Sequence, residues 1–325
     1  DAQPYVPGMV EMMKEKGFAH MSEGALVVDV KEDTDTKEIP PCIILKSDGA
    51  SLYSTTDLAT LVMRMKENNP DRVIYLADAR QSMHFIQVFR CARKTGIVPD
   101  TTELVHIGFG TMNGKDGKPF KTRDGGVMRL EYLLKEIDDE MLNKIKENQK
   151  EKENLNIDEA EAKQTAKTVA LAAVKYGDLS NQASKDYIFD IDRFTSFEGN
   201  TGPYILYTIV RIKSILSKYE AKGGDISALK DAIMPAVNAG QKNLMLSLAK
   251  FNATIESAYE ESAPHKICAY IYELANAFNG FYHDTKILSE ENEELKKSYI
   301  SLLVLTKEIL EACIDMLGFS APDRM

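Results

Sequence analysis

Apolar residues fall in short, strand-length runs over the first third of the chain and recur every three to four positions over the rest, so two architectures follow one another. "ALVVDV" (25–30), "PCIILK" (41–46), "RVIYLA" (72–77) and "ELVHIGFG" (103–110) have the length and the branched or aromatic content of strands. Helical spacing over about 57–68 and 82–95 separates the last three. Such alternation implies right-handed crossovers and a parallel sheet, with ligands beyond the carboxyl ends of its strands. From Leu130 the pattern is that of amphipathic helices, and no strand is expected. Helices are expected up to about Tyr176, from Pro203 to about Lys222, and in three more stretches ending near Gly318, with "EAKGGDIS" as the clearest turn. The expected class is α/β followed by all-α, with domains 1–130 and 131–325.

Within the helical part, "KEIDDEMLNKIKENQKEKENLNIDEAEAKQ" (135–164) is dense in both signs of charge, the pattern of a solvated helical face or hinge, and is read as a connector. The helix after "GNTGPY" carries more information. On a wheel of 100° per residue, Ile205, Ile209, Ile212 and Leu216 form one stripe, while Tyr204, Tyr207, Arg211, Lys218 and Lys222 gather within about 60° on another face. Cations interleaved with aromatic rings suit a ribose-phosphate backbone, each neutralised phosphate contributing about −0.7 to −0.9 to the salt-dependence slope. An ordinary amphipathic helix with buried tyrosines has the same pattern.

Composition narrows the setting. The 325 residues, 44% of them apolar, can fill cores in about two domains, and the formal charge of −10 confines any nucleic-acid contact to local patches. Cys42, Cys91, Cys268 and Cys313 lie far apart with no C-x-x-C pair, which argues against a disulfide framework or a zinc site and for a reducing, cytoplasmic home. No apolar run reaches membrane-spanning length, and "DAQPYVPG" has neither the charged nor the apolar region of a signal peptide. It also lacks an initiator methionine, as would a fragment, a processed chain or a tag-cleaved one.

One segment stands against the acidic background. "GKDGKPFKTRDGG" (114–126) sets Lys115, Lys118, Lys121 and Arg123 among four glycines and two acids. Glycine lets backbone N–H groups approach a ligand and the cations supply charge, a combination suited to polyphosphate. The spacing is not the Walker pattern, and a solvated loop has the same composition, but the position directly after the 103–110 strand favours phosphate.

"LYSTTDLA" (52–59), "DARQSMH" (78–84), "HIGFGTMNGKDGKPFKTRDGG" (106–126), "AVKYGDLS" (173–180), "DYIFDIDRFTSFEGNTGPYILY" (186–207) and "LGFSAPDRM" (317–325) occur in this order, and the set resembles the bacterial arginyl-tRNA synthetases, a class I family, over essentially the whole chain. The resemblance implies the second part of a Rossmann-type catalytic domain, then a helical DALR-type domain that grips the tRNA stem and anticodon. It implies a monomer that acts on L-arginine, ATP with Mg2+, and arginine tRNA in two steps, through arginyl-adenylate. Two family features are missing, the H-I-G-H motif and the domain that reads the tRNA elbow; "HIGF" at 106–109 is a coincidence of letters on a different strand. The glycine loop takes the place of the K-M-S-K-S signature, with Phe120, Lys121, Thr122 and Arg123 on its last four letters.

By position, the resemblance assigns Lys118, Lys121 and Arg123 to the transferring phosphates, Tyr53, Asp57 and Gln81 to the amino acid, His84 to the neighbourhood of ATP, and Phe109, Gly110 and Met112 to adenine. The residues themselves support part of this. A guanidinium calls for a carboxylate and planar acceptors, which Asp57 and Tyr53 supply four positions apart at a helix start. An acid in a first turn also simply complements the helix dipole. Gln81 and His84 share a helix face, Phe109 and Met112 suit core packing equally well, and a lone histidine also serves as a structural residue. Two alternatives stay open: a tRNA-binding module without catalysis, and a class I synthetase of cysteine or methionine specificity. The Tyr53 and Asp57 pair and the lack of zinc-type cysteine spacing speak against the second.

Overall fold

The computed structural model describes residues 1–118, 129–151, 158–229 and 232–325, with side chains except those of 148–151. They form two compact units, Asp1–Gly110 and Thr111–Met325. The division precedes residue 130 because Met112 and Asn113 (β6 in the order below) pair with Tyr187 and Ile188 of the helical unit.

The first unit begins with helix α1 (Val6–Glu15), followed by strands β1 (His20–Ser22), β2 (Ala25–Val28) and β3 (Cys42–Leu45). Then come helix α2 (Tyr53–Glu67), strand β4 (Arg72–Asp78), helix α3 (Ser82–Lys94) and strand β5 (Glu103–Phe109). The runs at 72–77 and 103–110 pair in parallel, from Arg72 opposite Glu103 to Asp78 opposite Phe109. Those at 25–30 and 41–46 do not join them. They form a separate antiparallel sheet in the order β1-β2-β3. The connection 29–41 contains no helix, and without a crossover element the chain reverses. The hairpin from β1 to β2 turns on Glu23 and Gly24, at φ 47° and 80°, the left-handed pair that suits a two-residue turn.

Arg90 of α3 anchors the 29–41 connection by a bidentate contact with Asp35, at 2.6 and 2.8 Å. The guanidinium, helped by the Glu32 backbone N–H, holds the Asp35 carboxyl down at about 2. The folded value lies below the ordinary carboxylate range, so this stabilisation is present above about pH 4 and lost as pH falls toward 2. The difference in thermal midpoint between wild type and Asp35→Asn should therefore be full at about pH 6 and closed by about pH 2. A difference that persists in acid would mean that the connection is held by other contacts.

The second unit starts with strand β6 (Met112–Asn113) and continues through helices α4 (Leu130–Glu151) and α5 (Glu159–Leu179), strand β7 (Tyr187–Ile188) and the short helix α6 (Ile191–Phe194). Helices α7 (Gly202–Ala221), α8 (Ala239–Ala249), α9 (Phe251–Glu260), α10 (Pro264–Asp284) and α11 (Glu293–Met316) complete it. Three expectations change here. The charged stretch is no mere connector, because Leu133, Ile137, Met141 and Ile145 recur every four residues along α4 and are buried in the helical core. Among the described residues the three last helices are four, and one short strand, β7, interrupts the helical pattern. No glycine or proline marks the junction of α8 and α9 at Lys250. Tyr176, fully buried, ties α5 to α10 with its hydroxyl 2.8 Å from the Cys268 carbonyl oxygen and 2.5 Å from Asn200 Oδ1. All four cysteines are buried free thiols. No helix among the described residues is long and apolar enough to cross a membrane.

Candidate functional site

In the first unit the start of α2 is stitched to β3. Thr55 Oγ1 donates to the Ile44 carbonyl at 2.5 Å and accepts the Leu52 N–H at 3.0 Å, and Ser54 Oγ donates to the Ile43 carbonyl. These bonds fix the first turn, so Tyr53 stands 85% exposed and Asp57 follows one turn later on the same face. The start of α3 is equally constrained. Asp78, the last residue of β4, accepts the Arg80 N–H at 2.8 Å, and Gly108 of β5 lies against the turn that follows. A Cβ on Gly108 would come within 2.9 Å of Ala79 Cα, so the close approach requires glycine. Exposed Gln81 ends this turn and His84 enters the first turn of α3.

A direct side-chain contact joins the two helix starts. His84 Nε2 lies 2.6 Å from Asp57 Oδ2, the side chains 26% and 29% exposed. A carboxylate only accepts hydrogen bonds, so Nε2 carries the proton. Behind them is an aromatic cluster that sequence reading missed. His84 meets Phe85 edge-on at 5.0 Å between ring centroids, and Phe85 stacks on His106 at 4.5 Å. Phe85 also lies 5.0 Å from Tyr75, which pairs with His106 across the parallel ladder. Burial pushes the Tyr75 phenol up to about 12, against the pull of the Arg64 guanidinium 5.2 Å from its ring, and the Asp57 charge adds to the rise. The signal for this cluster is the matched register of 72–78 and 103–109, which no single segment displays. Phe109, 46% exposed, ends β5, followed by Gly110; Met112 packs against the core of the second unit.

The described part of the glycine loop closes on itself. The Gly114 N–H donates to the Lys118 carbonyl at 2.8 Å, and Gly117 takes φ 71°. Lys115 reaches Asp190 at 3.1 Å and Asp192 at 3.3 Å, contacts that raise its pKa. Lys118 is exposed, and Lys121 and Arg123, with Phe120 and Thr122, lie outside the described residues.

On α7 the apolar stripe faces inward, with Ile205, Ile209 and Ile212 fully buried and Leu216 at 6% exposure. The polar face is organised by α10. Arg211 Nη1 donates to Asn279 Oδ1 at 2.6 Å, Asn279 Nδ2 donates to the Tyr204 hydroxyl at 2.9 Å, and that hydroxyl donates to Asn276 Oδ1 at 2.6 Å. The Arg211 guanidinium lies over two rings, 4.7 Å from Tyr207 and 5.4 Å from Tyr282. Arg211 and Lys218 open, with Tyr282, His283 and Lys286, onto a cavity of about 740 Å³. Lys222 is the exposed C-cap of α7 and is not among the lining residues. The α10 partners escaped sequence reading, although Asn276, Asn279 and His283 share the spacing of one helix face.

Residues 2–191 match the family profile described as tRNA synthetases class I (R), catalytic domain, and residues 205–325 match the DALR anticodon binding domain. The arginine–tRNA ligase of Alkaliphilus oremlandii is 53% identical over the whole chain, and that of Francisella tularensis 42%. The chain spans about half the length of these curated relatives, 54% in each case. Among solved structures, arginyl-tRNA synthetase from Plasmodium falciparum superimposes with a TM-score of 0.81 at 26% identity, over 99% of this chain and 52% of that one. A part of a class I catalytic domain thus precedes a helical anticodon-binding domain, and the chain belongs to the arginyl-tRNA synthetase family.

Proposed function

We propose that this chain serves the ligation of L-arginine to arginine tRNA. In the first step the arginine carboxylate attacks the α-phosphate of ATP, giving arginyl-adenylate and pyrophosphate. In the second, the terminal ribose of the tRNA takes the arginyl group and AMP leaves. Neither step needs a protein nucleophile, so the protein contributes position and charge. The observation that carries this reading is the Asp57 carboxylate, partly exposed, one turn beyond a helix start fixed by Thr55 and on the same face as Tyr53. That carboxylate receives the guanidinium, with Tyr53 and Gln81 beside it. Lys118, Lys121 and Arg123 stabilise the transferring phosphates, and Phe109, Gly110 and Met112 are assigned to adenine. Magnesium enters with ATP as part of that substrate. Tyr204, Tyr207, Arg211, Lys218 and Lys222 take the tRNA.

The relatives are nearly twice as long as this chain, which favours a second property of these 325 residues taken alone: they bind tRNA without activating arginine. The basic and aromatic face lies wholly within the second unit, on α7, its C-cap and α10, whereas the H-I-G-H half of the phosphate site is absent from the sequence. Filter binding of arginine tRNA at two salt concentrations, beside arginine-dependent pyrophosphate exchange, tests both statements. Modest, salt-sensitive binding without exchange is expected. Undetectable binding at low salt would remove the tRNA assignment, and robust exchange would remove the second property. Arg211→Ala should weaken binding about fivefold to thirtyfold, because it removes both a phosphate-competent cation and the stack over Tyr207 and Tyr282.

A further inference from the structure

We propose that His84 is a positioning residue for the Asp57 carboxylate, and through it a determinant of arginine selection, in place of the nucleotide contact expected from its position in the sequence. The inference rests on the reading that Asp57 receives the guanidinium. Its basis is the 2.6 Å contact between two helices whose residues lie 27 apart in sequence. Each partner sits on an immobilised helix start, Asp57 beyond the Thr55 stitch to β3 and His84 beyond the turn packed under Gly108. The imidazole is set by its edge contact with Phe85, whose other ring neighbours are Tyr75, Phe89 and His106. An aspartate with free χ rotation presents its two oxygens in many directions, whereas one oxygen tied to a fixed N–H leaves a single plane. Among the described residues no hydrogen bond is made to Asp57 Oδ1, and with the side chain 29% exposed that oxygen is open to a ligand's donors. A planar fork of N–H donors matches a carboxylate held in one plane, whereas a lysine ammonium has no such requirement.

The test is steady-state pyrophosphate exchange by the full-length gene product, with KM for arginine and for ATP measured separately. His84→Ala should raise the arginine KM at least tenfold with the ATP KM unchanged and kcat within about threefold, and His84→Gln, which returns an N–H donor at similar reach, should recover most of the loss. Because both residues act on one ligand group, His84→Ala should add little on an Asp57→Ala background. A raised ATP KM with the arginine KM intact would return His84 to the nucleotide and overturn the proposal. So would an unchanged arginine KM in His84→Ala while Asp57→Ala raises it. If Asp57→Ala itself leaves the arginine KM unchanged, the functional reading beneath the proposal falls with it.

Discussion

Asp57→Ala should raise the arginine KM of the full-length gene product by at least tenfold while leaving tRNA affinity unchanged. Removing the carboxylate strands a guanidinium that has given up water, a loss of about 2 to 5 kcal/mol for a desolvated charge pair. The surroundings raise that loss. With His84 Nε2 2.6 Å from one oxygen, the pair should form at a lower entropy cost of fixing the carboxylate. Asp57→Asn separates charge from shape: it keeps a planar oxygen and should lose most of the affinity as well. Tyr53, 85% exposed, has fewer constraints, and Tyr53→Phe should cost less than Asp57→Ala. Arginine kinetics that hardly change in Asp57→Ala would show that this carboxylate, one turn beyond the helix start, does not receive the guanidinium.

The second large effect is structural. Gly202 opens α7 where it packs on α5, and a Cβ there would lie 2.3 Å from the Ala172 carbonyl oxygen and 2.6 Å from its carbon. Both are backbone atoms of a helix lined with Ala166, Ala170 and Ala173, which leaves no side chain to rotate away. The start of α7 is also pinned, because Thr201 caps the Tyr204 N–H at 3.2 Å and donates to the Ser196 carbonyl at 2.6 Å. Gly202→Val should therefore destabilise the helical unit by about 3 kcal/mol or more, lowering its melting midpoint by roughly 6 to 12 °C. It should also weaken tRNA binding by displacing Arg211 from Asn279. Scanning calorimetry and filter binding read the two consequences. An unchanged midpoint would mean that α5 and α7 can separate freely at this point.

How much was legible in advance depended on the range of the interaction that decides each feature. Periodicity and turn composition are local, so strands at 72–77 and 103–110, the inward stripe of Ile205, Ile209 and Ile212, and the turn at "EAKGGDIS", where Gly223 takes φ 88°, were all readable. Pairing is not local: nothing within "ALVVDV" or "PCIILK" says that they form an antiparallel sheet, and only the helix-free 29–41 connection hinted at it. Charge density concealed the buried face of α4, because Leu133, Ile137, Met141 and Ile145 were outnumbered by the acids and lysines between them. The candidate residues followed the same rule. Tyr53 with Asp57, and Tyr204 with Tyr207 and Arg211, are helix neighbours. The contact of His84 with Asp57, the Phe85 and His106 stack, and the Asn276 and Asn279 relay each join separate elements.

Aminoacylation of arginine tRNA by the full-length gene product, offered each amino acid in turn with ATP, brings these inferences to a single result. Arginyl-tRNA should form, and no other amino acid, lysine included, should be transferred at a comparable rate. No arginylation, or comparable transfer of lysine, cysteine or methionine, would contradict the assignment of Asp57 and of the chain's function.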